Sequence, residues 1–138
     1  MNPFRHSFRV PFDELDPAGI LFFANLLVHT HQAYEEMMLD IGFPLGRILA
    51  QEDYLLPLVH AEADYRQPLH LDDRIEVELL VQELGQHSFT LSYRFLRAGF
   101  ECAVSLTRHA VVDRQNGRPL PLPQDLARAL ARYRSASA

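Results

Sequence analysis

Apolar residues between positions 5 and 12 fall at every second place, at Phe8, Val10 and Phe12, the period of a strand with one buried face. From Phe23 to Ile41 the period lengthens. Leu26, Thr30, Ala33, Met37 and Ile41 form one stripe, widened by Leu27, Tyr34 and Met38, as on a helix with a broad buried face. Asn25 stands where a side chain can cap the first turn, and Gly42 followed by Pro44 ends the helix. Residues 45–51 add a helical turn or two. After them strand patterns dominate, at 55–65, 74–84, 87–97 and 101–113, divided by Pro68 to Asp73, Gly85-Gln86 and Ala98-Gly99. Asn116-Gly117 makes a further turn. Residues 123–133, with Leu126, Ala127 and Leu130 on one face, make a short closing helix, and the Ser/Ala tail at 134–138 is expected to be disordered.

One long early helix followed by an antiparallel meander predicts an α+β fold, a single domain over residues 1–138 in which the sheet covers the helix. Residues 55–59 are apolar almost throughout, and Val104, Leu106, Ala110 and Val111 thicken another strand. Part of the sheet is therefore expected to carry apolar side chains on both faces, which suits an oligomer contact.

Composition narrows the class. With 138 residues and 48% hydrophobic content the chain can bury a sizeable core. Thirteen basic and eighteen acidic residues give a net charge of −5 without a Lys/Arg block, which argues against nucleic acid as a partner. No stretch reaches the roughly 18–20 apolar residues that cross a bilayer. Residues 1–10 mix Arg5, His6 and Arg9 with Phe4 and Phe8, unlike a secretory peptide, and the one cysteine, Cys102, suits a reducing compartment. Cytoplasmic residence is the expectation.

The segment Asp16-Pro17-Ala18-Gly19-Ile20-Leu21 lies between the first strand and the long helix. Pro17 biases Asp16 toward an extended backbone, and Gly19 can take a positive φ that folds the chain closely onto a ligand. The helix that follows leaves its first amides unpaired, and these can hold a developing oxyanion beside the carboxylate. That pairing suits acyl transfer, although Asp-Pro-x-Gly is also a common turn.

Residues 12–25, Phe-Asp-Glu-Leu-Asp-Pro-Ala-Gly-Ile-Leu-Phe-Phe-Ala-Asn, resemble the opening motif of the 4-hydroxybenzoyl-CoA thioesterase family of hot-dog fold proteins. Residues 64–78 are similar to that family's strand, Pro-containing turn and Asp-Asp strand start, and Gly117-Arg118-Pro119 before the last helix agrees, so the likeness covers about residues 8–130. The resemblance implies an antiparallel sheet wrapped around a central helix, and hydrolysis of an acyl-CoA thioester without a cofactor. Asp16 is then nucleophile or general base, the Phe23 amide polarises the carbonyl, Gly19 shapes the loop, and Phe22, Asn25, His60 and Arg66 contact substrate. It further implies a homodimer or homotetramer with the acyl pocket where subunits meet, Phe22 and Phe23 of one facing residues 56–60 of another.

Three departures limit what carries over. Phe23 stands where many relatives have Tyr or His. Glu14 replaces the first acid of the family's Asp-x-Asp. Gly85-Gln86-His87 replaces basic residues that hold CoA phosphates, leaving Arg66, Arg108, Arg114 and Arg118 as alternatives.

Other chemistry has less support. Glu35 and Glu36 are reserve carboxylates, but Asn25, His29, Gln32 and Glu36 repeat at helical spacing and read as one polar face, hydrated or hydrogen-bonded at a subunit contact. His29 and His31 diverge by about 200° on a helix, and the other histidines are dispersed, so no metal site is expected. Cys102 reads as buried filler, and Gly-x-Ser-x-Gly is absent. A non-catalytic acyl-CoA-binding protein and a hot-dog hydratase remain alternatives. Phe22 and Phe23 suit an aromatic acyl group, and aliphatic chains equally.

Overall fold

The structure, a computed structural model, describes residues 2–136. Strand β1 (Phe4–Arg9) leads through a short 3-10 turn to helix α1 (Phe23–Asp40), followed by α2 (Leu45–Gln51) and strands β2 (Tyr54–Leu55), β3 (Leu58–Tyr65), β4 (Arg74–Leu84), β5 (Ser88–Arg97), β6 (Phe100–Ala110) and β7 (Val112–Asp113), with α3 (Gln124–Leu130) closing the chain. Five strands form one antiparallel sheet in the order β1-β4-β5-β6-β3, and β2 pairs with β7 separately.

Alternation decides which face is buried. Val77 and Leu79 of β4, Leu91 and Phe95 of β5, and Ala103 of β6 are 2% exposed or less, and they share the inner face. Helix α1 lies against that face through Leu26, Thr30, Ala33, Tyr34, Met37 and Met38. Part of the contact is polar: Thr30 Oγ1 is 2.8 Å from Ser105 Oγ, and Tyr34 stacks on His109 at 4.1 Å. The buried stripe widens toward His29 rather than Leu27, so the polar face expected to be hydrated is in part packed.

Several boundaries differ from expectation, each for a local reason. The first strand stops at Arg9, because Pro11 has no N–H to donate and the chain turns into residues 12–14, leaving Phe12 exposed. The run at 55–65 breaks at Leu56-Pro57, opposite a break at Val111, so the β2 and β7 ends pair apart from the main sheet. Asn25 does not cap α1. Phe22 is the N-cap and makes no side-chain cap bond, because Asn25 sits inside the first turn. The other end follows the sequence: Gly42 takes φ +88°, Gly42 N–H donates to Leu39 O and Phe43 N–H to Met38 O, a Schellman closure. Arg134 bridges to Val81 and Ser135 N–H donates to Val81 O, so the expected disordered tail is held on β4 this far. Residues 137 and 138 lie outside the described residues. Among the described residues no helix is long and apolar enough to cross a membrane.

Candidate active site

The loop from Pro11 to Phe22 is tied at both ends. Leu15 and Leu21 pair across it, Leu21 N–H donates to Leu69 O at 2.8 Å, and Phe22 N–H donates to Glu14 O at 2.9 Å. Within it Asp16 N–H donates to Ile20 O, and Gly19 N–H to Asp16 O. Gly19 has φ +81°, a conformation that a side chain resists, which lets the loop close on itself.

This closure aims Asp16. Its Oδ1 accepts the amides of Ala18 at 2.8 Å and Ile20 at 3.3 Å, while Oδ2 accepts no hydrogen bond among the described residues. One oxygen is thus held and the other presented. The helix begins one loop turn later, and the amides of Phe23 and Ala24 have no acceptor among the described residues.

Asp16, Ile20, Phe22, Phe23 and Leu26 form one wall of a cavity of about 580 Å³, and Tyr65, Arg66 and Pro68 form the facing wall. That size suits a small ligand. Its lining is mainly apolar, with the Asp16 carboxylate and the Arg66 guanidinium as the charged groups. Tyr65 extends from the end of β3 and its hydroxyl donates to Phe23 O at 2.5 Å, joining the two walls. Burial raises the phenol above its ordinary pKa and keeps it a donor.

Of the residues singled out in the sequence, Asp16, Phe22, Phe23 and Arg66 meet at this cavity. Gly19 shapes the loop without lining the cavity. Asn25 lies outside it and donates through Nδ2 to Glu14 O at 3.0 Å. His60 is on the opposite face of the sheet, bonded to Glu62 Oε1 at 2.8 Å, because the register of β3 on β6 turns His60 and Glu62 outward and Ala61, Ala63 and Tyr65 inward. Glu35 and Glu36 are exposed on α1 away from the cavity. Arg66 is paired with Glu101 at the cavity mouth. Arg114 instead closes the end of α2, donating to the carbonyls of Ile48, Leu49 and Glu52.

Two contacts had no sequence signal. Tyr65 and Phe23 are 42 positions apart. The Glu14 carboxylate meets His29 Nε2 at 2.6 Å, and neither residue stands at a spacing that marks the other.

Residues 10–130 match the sequence pattern of the thioesterase-like superfamily. The chain belongs to this superfamily. It is 35% identical over 118 residues to the 1,4-dihydroxy-2-naphthoyl-CoA hydrolase of Synechococcus elongatus, covering 85% of this chain and 87% of that one. The crystal structure of a 1,4-dihydroxy-2-naphthoyl-CoA thioesterase from Synechocystis superposes with a TM-score of 0.88 at 30% identity, over 94% of this chain and 96% of the other. A gentisyl-coenzyme A thioesterase superposes with a TM-score of 0.82 at 25% identity, over 92% and 98%. The fold is the hot-dog fold, and the chain is a thioester hydrolase.

Proposed function

We propose that this thioesterase hydrolyses a small acyl-CoA, with hydroxylated aromatic acyl groups as the first candidates. The observation that carries the mechanism is Asp16, with Oδ2 free among the described residues, in the same cavity as Phe23, whose amide and that of the adjacent Ala24 have no acceptor among them. A thioester carbonyl seated there meets a carboxylate on one side and two N–H donors on the other. Asp16 either adds to the carbonyl carbon, giving an acyl-carboxylate anhydride that water then opens, or takes a proton from a water that adds. In both routes charge builds on the carbonyl oxygen, the amides hold it, and the C–S bond breaks with the electron pair leaving on CoA sulfur.

Phe22, Phe23 and Leu26 give the acyl group an apolar seat, and the preference for aromatic acids rests on what the named relatives hydrolyse. Arg66, at the mouth, is our candidate contact for the CoA phosphates, released from Glu101 when phosphate arrives. We also assign the free edge of β3 to a second copy of the chain. Leu58 and Val59 are 47% and 57% exposed there, and antiparallel pairing of two such edges would bring Leu58 of the partner subunit toward Tyr65 and the cavity.

Thiol release from a panel of aromatic and aliphatic acyl-CoAs tests the reading, and turnover of hydroxybenzoyl-type substrates above aliphatic ones is expected. No release from any member would instead favour a binding module or a hydratase. Single turnover in ¹⁸O-water tests the anhydride route: if water opens the anhydride at the Asp16 carbonyl carbon, the first acid product carries no label and Asp16 gains it, whereas direct attack of water on the thioester puts one ¹⁸O in the product.

A further inference from the structure

We infer that Glu14 and His29 form a positioning pair that fixes the Asp16 carboxylate relative to the helix-start amides; this rests on the reading of the site given above. Glu14 is two residues before Asp16, and it is tied to α1 three times. Its carbonyl accepts from Phe22 N–H at 2.9 Å and from Asn25 Nδ2 at 3.0 Å, and its carboxylate accepts from His29 Nε2 at 2.6 Å. Positions 22, 25 and 29 are three and four residues apart, so these bonds form one seam up the first two turns of the helix. The seam runs from the residue just before the Phe23 amide to the segment that carries Asp16.

His29 gives the seam a fixed point. It is 4% exposed, and its ring lies flat on Phe8 of β1 at 3.7 Å and 6°, so it cannot follow the loop if the loop shifts. A histidine on the hydrated side of a surface helix has no such constraint. Losing the His29 donor would leave the Glu14 carboxylate, only 22% exposed, without its side-chain partner. The loop would then relax, and a displacement of about 1 Å between nucleophile and oxyanion donors costs on the order of 100-fold in rate.

The test uses the full-length enzyme. His29→Phe keeps the stack and removes the donor, Glu14→Ala removes the acceptor, and His29→Gln restores an amide N–H near the Nε2 position. Expected are a fall in kcat of about 10- to 100-fold for His29→Phe and Glu14→Ala with KM nearly unchanged, recovery of most of that loss in His29→Gln, and a double variant no slower than either single one. Hydrogen exchange read without substrate should quicken at residues 15–22 in His29→Phe, whatever the role of Asp16. If His29→Phe does not fold, Glu14→Ala carries the same readouts. Unchanged exchange at 15–22, effects that multiply in the double variant, or a lower melting temperature with kcat unchanged would overturn the proposal. Faster exchange with an Asp16→Asn enzyme still fully active would support the pair while removing the assignment of Asp16.

Discussion

Burial of His109 should make folding strongly dependent on pH between 7 and 4. The ring is 1% exposed, packed against Tyr34 at 4.1 Å and Phe89 at 5.2 Å, with Nε2 at 3.1 Å from Thr107 Oγ1. Burial, with a smaller contribution from His31, pushes its pKa down to about 4, and the Leu56 carbonyl offsets only part of this. In the unfolded chain the same group titrates near 6.5. Between those values the unfolded state holds the extra proton, so stability is fully present above about 6.5 and declines as pH falls toward 4. At about 1.4 kcal/mol per pH unit the whole interval is worth roughly 3 kcal/mol, a large part of the 5–15 kcal/mol typical of a domain. His6, whose pKa burial also lowers, tilts the curve in the same sense. The quantity to read is therefore the difference between wild type and His109→Gln, measured by urea unfolding from pH 7.5 to 4.5 at one protein concentration. Loss of the ring stack gives the variant a constant deficit. The total difference between wild type and variant should nonetheless shrink by about 2–3 kcal/mol toward pH 4.5, because only the wild type loses the His109 contribution. Parallel curves would refute the argument.

Three further outcomes follow from the geometry. Tyr65→Phe removes the bond to Phe23 O across the cavity, and should lower kcat/KM in the thiol-release assay by about 5- to 10-fold, the worth of about 1 kcal/mol. Gly19→Ala has free space for its Cβ but must hold φ +81°, so it should cost about 1 kcal/mol in thermal unfolding and lower kcat by displacing Asp16. Arg114→Ala removes the side-chain donor shared by the Ile48, Leu49 and Glu52 carbonyls at the end of α2, and should lower stability by about 1–3 kcal/mol with little effect on KM, as read by unfolding and steady-state kinetics.

The long periodic elements were legible in the sequence because one rule governs many residues at once. The stripe of α1 and the alternation in β4, β5 and β6 each repeat over ten or more positions, so a single exception does not move them. Asp16 with Gly19 was legible because turn chemistry is local. What was missed depends on register or on distant contacts. His60 faces outward because the pairing of β3 on β6 shifts between Leu58 and His60, which composition does not reveal. Asn25 looked like a cap because its residue type suits one, yet the Leu69 and Glu14 carbonyls hold Leu21 and Phe22 so that Phe22, three residues before it, is the N-cap. His29 looked hydrated because a helical wheel does not show that Phe8 lies over it.

On the proposed mechanism the Asp16 carboxylate does the chemistry while the backbone amides of Phe23 and Ala24 hold the oxyanion. Asp16→Asn keeps the size and the Oδ1 acceptor for the Ala18 amide, and removes only the charge and basicity. Its kcat on the best acyl-CoA of the panel, measured beside binding of a non-hydrolysable thioether analogue, is the most direct measurement. A loss of at least about 100-fold in kcat with analogue affinity unchanged is expected; turnover within a few-fold of wild type would show that Asp16 does not do the chemistry.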